Sequence, residues 1–137
     1  MLLRTPLKHR HVTSPYGPRS IGDGFHDGED HRASVGNEVF ALMDGCYVMK
    51  ARKQDLDAWG KYIVLYQPEY GLQFVFAHLN ELLVEENQLV NMDTVIGYTG
   101  NTGASTGPHL HIGIYTSSFD DIFDKDPPNT PLSLIHI

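Results

Sequence analysis

A chain of 137 residues has room for one hydrophobic core of ordinary size, and 41% apolar with 20% charged residues is the balance of a globular domain rather than of a disordered or fibrous chain. The net charge of −7 argues against a nucleic-acid partner, which a basic patch or stripe would grip through phosphates, and against passive adhesion to anionic polymers. The single cysteine, Cys46, excludes an intrachain disulfide, and no run approaches the roughly 18 apolar residues of a membrane span.

In chain order, Met1 to Pro15 lacks the apolar stretch of about 7 to 15 residues that a secretory signal needs. His26 to Asp30 reads as extended chain. Val35 to Met43, Cys46 to Arg52, Tyr62 to Gln67, Leu72 to His78 and His109 to Tyr115 are rich in β-branched and aromatic residues and read as strands. Asp44-Gly45 suits a two-residue hairpin, Pro68 to Gly71 a second turn, and Gly100 to Gly107 a loop delivering the last strand. Leu79 to Glu86 is the one segment expected to form a helical turn or short helix. Phe119 to Ile137 is acidic and proline-rich and is expected to pack loosely or fray. The fold expected is therefore mainly β, a small antiparallel sheet of sandwich-like character.

Chemistry concentrates in two places. His26-Asp27-Gly28-Glu29-Asp30 and His109-Leu110-His111 together hold three metal-ligand residues and one spare imidazole. Side chains alternate along a strand, so His26 and Asp30 share a side with Gly28 leaving space between them, and His109 and His111 point together. Three protein ligands leave a fourth position for water, the arrangement of a catalytic rather than a structural zinc site. The remaining candidates read blandly. His9, His11, His31 and His136 are expected to be surface or hydrogen-bonded core histidines, and Cys46 a buried inert thiol. Asp120, Asp121, Asp124 and Asp126 miss the spacing of a calcium loop and read as a solvated acidic face. Lys50 after Met49 is similar to the lysine of biotin and lipoyl carriers, but no tight turn presents it.

Four blocks in order resemble the zinc metallopeptidases of the lysostaphin type, the M23 or LytM family, which cut peptide bonds in peptidoglycan. They are Thr13 to Arg19, the H-x-x-x-D motif from His26 to Asp30, Phe76-Ala77-His78-Leu79, and Ser105 to His111. The resemblance places the peptidase domain at residues 13–118, with a lead-in over 1–12 and a tail over 119–137. It implies that His26, Asp30 and His111 bind Zn2+ and that His78 and His109 are the unligated catalytic pair. Two imidazoles and a carboxylate suit zinc, which lowers the pKa of a bound water to about 7. His109 is the better candidate for the base and His78 for the oxyanion donor, with the reverse assignment open.

The chain departs from the family pattern at Glu29 and His31, where apolar residues are common, and at Phe76, where tyrosine is frequent. On a strand, Glu29 and His31 face away from the metal, so the change falls on packing behind the site. Asn87 and Asp93 stand where glycine is frequent, and both residue types tolerate positive φ. No tyrosine lies a few residues before His26.

The function implied is a zinc-dependent endopeptidase of peptidoglycan cross-links. Its partner would be the peptide stem or cross-bridge, and its place of action the cell wall, the extracellular space or a phage virion. With no export signal in view, a phage or prophage origin is expected. The alternative is a non-catalytic LytM-like module that binds wall peptides or activates a partner hydrolase. Keeping all three ligands and both catalytic histidines favours the enzyme.

Overall fold

The most apolar stretches of the sequence become the middle of one antiparallel sheet. The computed structural model describes residues 3–8, 12–14, 17–18, 25–26, 29–56, 58–105, 107–115 and 131–132. Its strands are β1 (Val12–Ser14), β2 (Gly17–Pro18), β3 (Phe25–His26), β4 (Glu29–Arg32), β5 (Glu38–Phe40), β6 (Cys46–Arg52), β7 (Lys61–Gln67), β8 (Leu72–Leu82), β9 (Leu89–Val90), β10 (Val95–Thr99), β11 (His109–Tyr115) and β12 (Pro131–Leu132). Among the described residues ten strands join in one sheet with the order β1-β4-β11-β8-β7-β6-β9. Strand β10 pairs with β5 and β8, β12 pairs with β11, and β2 with β3 forms a separate ribbon. No helix occurs among the described residues, and none is long and apolar enough to cross a membrane.

Both faces of the central strands are covered. Ile63, Phe76 and Ile112 stand side by side on one face, within a core that includes Leu42, Leu65, Phe74 and Leu110. Val64 and Val75 face the other way, in a smaller cluster with Tyr62, Ala77 and Tyr115. This two-sided burial explains why β7 reads as an unbroken apolar run rather than a polar alternation. Each fully buried side chain of this size contributes roughly 1.5 to 3 kcal/mol over an exposed one. Gln73 lies in the same strand as Val75 and on its face. It is fully buried, and neither amide atom meets a protein partner.

Strands β6 and β11 have the ends expected from their sequence, and Pro68 to Gly71 makes the β7–β8 turn. Other expectations are corrected. Val35 to Met43 contributes only Glu38–Phe40 to a strand, because Ser34 N–H donates to Asn37 Oδ1 at 2.8 Å and closes a turn ahead of it. Asp44-Gly45 turns the chain without making a hairpin: β5 goes to β10, while β6 pairs with β7 and β9. Of the helix expected at Leu79 to Glu86, the first half is instead the end of β8, held extended because Leu79, Glu81 and Leu82 pair with Thr99, Tyr98 and Gly97 of β10, and residues 83–86 form a non-helical connection. Tertiary pairing overrides the helical preference of those leucines and glutamates. Asn87 takes φ +74, whereas Asp93 is not among the described residues with positive φ.

Of the tail, Pro131–Leu132 adds a strand beside Tyr115 and Ile114. The rest of the tail, with Asp120, Asp121, Asp124 and Asp126, lies outside the described residues, as do His9, His11 and His136. Cys46 is fully buried, and its thiol donates to Met43 O at 3.3 Å. Burial first, and the charge of Asp44 second, push its pKa up to about 12.

Candidate active site

Strand β11 runs between β4 and β8, and the register sets His111 opposite both Asp30 and Ala77. Neighbours across an antiparallel pair share a face, so Asp30 and His111 meet on the side that carries Val75 and Ala77. His111 Nδ1 stands 3.1 Å from Asp30 Oδ1, and His109 Nε2 is 3.6 Å from the same oxygen. His31 alternates to the opposite side, where it is fully buried in register with Leu110. The sequence-based placement of His31 behind the site therefore holds.

His26 occupies the end of β3, in register with Gly17 of the two-stranded ribbon. It does not continue the ladder of Asp30 as one extended strand would, since Glu29–Arg32 pairs with β1 and β11 in the large sheet. Its ring lies outside the described side chains. Of the three expected ligands, the structure thus brings two together, and no trio of His, Cys, Asp or Glu able to hold a metal occurs among the described residues.

His78 reaches the site from β8. It has φ +62, an uncommon conformation for a residue with a side chain, and sits where the β7–β8 register slips between Ile63 and Lys61. The bulge turns its ring toward β11: the ring centroid lies 4.8 Å from that of His109 and 6.0 Å from that of His111. The backbone N–H of His78 donates to Trp59 O at 2.8 Å, and Nδ1 lies 2.6 Å from Thr102 O. Burial pushes the His78 pKa down to about 4, against the opposing pull of the Thr102 carbonyl, with His109 and His111 lowering it further and Asp30 raising it.

His109 is held in a similar way. Its Nδ1 lies 2.8 Å from Gly107 O and 3.1 Å from Ser105 Oγ, and Ser105 Oγ donates to Gly107 O at 3.0 Å. A carbonyl can only accept, so in the neutral rings of His78 and His109 the proton belongs on Nδ1 and the lone pair on Nε2. Each ring is then built to accept a proton at Nε2. Neither can donate from that atom until it has gained a second proton.

Two contributors were missed by the sequence reading. Thr102 and Trp59 act on His78 through backbone carbonyls, which no residue type advertises. Ser105 and Gly107 stood within a recognised block without a role. The only signal for Thr102 is its place in the glycine-rich loop that starts at Gly100.

Known proteins resemble this chain in sequence and in fold. The chain is 34% identical over 110 residues to the DD-carboxypeptidase/endopeptidase Mpg of Neisseria meningitidis serogroup B, covering 77% of this chain and 24% of the relative. It is 33% identical over 114 residues to the glycyl-glycine endopeptidase ALE-1 of Staphylococcus capitis, covering 82% and 31%. It therefore spans about a quarter to a third of these curated relatives. Among solved structures, the catalytic domain of the antimicrobial peptidase lysostaphin from Staphylococcus simulans superposes with a TM-score of 0.74 at 27% identity, covering 90% of this chain and 88% of that one. The model of peptidase family M23 matches residues 24–123, most of the chain, and the chain belongs to that family.

Proposed function

We propose that this chain is a zinc-dependent endopeptidase that hydrolyses peptide cross-links of bacterial peptidoglycan, acting at the cell wall. The observation that carries the reading is the meeting of Asp30, His111, His109 and His78 on one sheet face, in a chain of the M23 family. Relatives are named as a DD-carboxypeptidase/endopeptidase, a glycyl-glycine endopeptidase and a peptidoglycan DD-endopeptidase, which supports a substrate in the peptide part of the wall.

The donor set fits zinc. Two imidazoles and a carboxylate are ligand types that zinc takes, and His111 Nδ1 and Asp30 Oδ1 already stand 3.1 Å apart on one face. Asp30, His111 and, from β3, His26 would hold the ion. When bound, zinc polarises the scissile carbonyl and lowers the pKa of a water to about 7.

The chain's own residues do the rest. His109 takes the water's proton at Nε2, and the carboxylate of Asp30 at 3.6 Å stabilises the imidazolium that forms. The same Nε2–H then returns the proton to the leaving amine. His78, with its lone pair at Nε2, accepts a hydrogen bond from the attacking water and orients it, a role its neutral tautomer suits better than donation to an oxyanion. The buried setting of His78 and His111, each 7% exposed, limits competing water.

The test is digestion of purified sacculi, one set with DD cross-links and one with glycine bridges, followed by mass spectrometry of released fragments. New free amines from one set, lost with a chelator and restored by zinc, are expected. Binding to sacculi with no fragments under any metal condition would favour the non-catalytic wall-binding module instead.

A further inference from the structure

His78 adopts a backbone conformation that residues with side chains avoid, and its ring must also point in one direction for Nε2 to face the site. Both requirements converge on one residue of the β10–β11 loop. Thr102 accepts from His78 Nδ1 through its carbonyl at 2.6 Å. Its hydroxyl donates to Leu79 O at 2.7 Å and accepts the backbone N–H of Lys61 at 3.0 Å. Thr102 thus holds the ring of His78 and the carbonyl of the next residue, Leu79, and ties both to the start of β7.

The loop has no slack at this point. A Cβ at Gly103 would lie 2.4 Å from Gly60 N and 2.5 Å from Ala58 O, and Ala104 N–H donates to Ala58 O at 2.8 Å. Backbone packed this closely to backbone seats Gly103 and Ala104 against the connection before β7, and the two hydroxyl bonds of Thr102 set the direction of its own carbonyl within that seat. Trp59 O, from the same connection, takes the N–H of His78 at 2.8 Å. The strained residue is therefore held from both sides by one stack of loops.

We propose that Thr102 is a positioning residue, which fixes the tautomer and direction of the His78 ring so that Nε2 presents its lone pair to the substrate. The proposal rests on the reading of His78 as a proton acceptor in the hydrolytic site. It assigns no chemistry to Thr102 itself. Because a displacement of about 1 Å in a reacting group can cost about a hundredfold, loss of the hydroxyl is expected to act on rate rather than on binding.

The test uses the zinc-loaded full chain. Thr102→Val, which keeps size and removes the hydroxyl, should lower kcat by roughly 10- to 100-fold with KM and zinc content unchanged, and Thr102→Ser should restore most of the rate. In a His78→Ala background, Thr102→Val should have little further effect, since its action passes through the missing ring. An equal loss in that background would overturn the proposal, as would a Ser variant as slow as the Val variant.

An independent readout needs no turnover. Nitrogen-15 NMR of the histidine rings should show His78 protonated at Nδ1 in the parent, and a mixture of tautomers in folded Thr102→Val. If the parent proves inactive on every wall substrate while the tautomer responds in this way, the function fails and the positioning stands. An Nδ1-protonated His78 that is unchanged in Thr102→Val removes the positioning role whatever the activity.

Discussion

At the scale of single residues, the site divides into side chains that should hold metal and side chains that should move protons. His111→Ala removes the donor nearest Asp30, so metal analysis should find zinc lost along with activity; full occupancy would end its assignment as a ligand. His109→Ala should keep zinc and lose at least about a hundredfold in rate, the lower end of general acid–base contributions. Near-normal turnover would take His109 out of the mechanism. Cys46 gives a prediction of opposite character. With its pKa pushed up to about 12, the thiol stays protonated in the fold, and the stability tied to that proton is whole below the unfolded value of about 9 and is lost as pH climbs through the folded one. At pH 8 a thiol reagent should therefore label Cys46 at the rate of unfolding, and rapid labelling of the native protein would contradict its burial. That Asp30, His109 and His111 would meet was legible from their spacing on strands, and His78 from its block's resemblance to a family, while the ring of His26 lies outside the described side chains. Thr102 and Trp59 were not legible, because a carbonyl oxygen is the same on every residue and only the fold gives it an address.

At the scale of elements, the strands read correctly were those whose pattern matched their surroundings. β6 and β11 alternate or run apolar over seven residues each, long enough for the pattern to speak. The end of β8 was misread because Leu79 to Glu86 favours helix locally, and its partner β10, five residues long with a glycine at its centre, did not look like a strand. That glycine shows what the local pattern could not. A Cβ at Gly97 would lie 2.6 Å from Glu81 O, so β8 and β10 approach as closely as they do only with no side chain there. Gly97→Ala should force the pair apart and destabilise the protein by about 1 to 3 kcal/mol, the usual cost of overpacking, measured as a lower denaturant midpoint. An unchanged midpoint would mean that the pairing bends freely. Gln73 offers the reverse case. Its buried amide meets no protein partner, and such groups cost about 1 to 3 kcal/mol, so Gln73→Met, close in volume, should raise the melting temperature. A fall would show that the amide is bonded after all.

At the scale of the whole molecule, the family was legible from four short blocks because their order and spacing together are hard to meet by chance, while the path of the sheet was not. Nothing in the local sequence says that β4 should lie beside β11, since that contact joins residues 81 positions apart. The site thus exists only when the early and late parts of the chain have come together. The ribosome makes these parts in turn. At roughly 5 to 20 residues per second, on the order of 4 to 16 seconds pass between the emergence of Asp30 and that of His111. During that interval the growing chain carries Asp30 without the imidazole that completes its pair. A chain cut short anywhere before His111 would stay permanently in that state, with one half of the pair made and no partner strand to bring the other beside it.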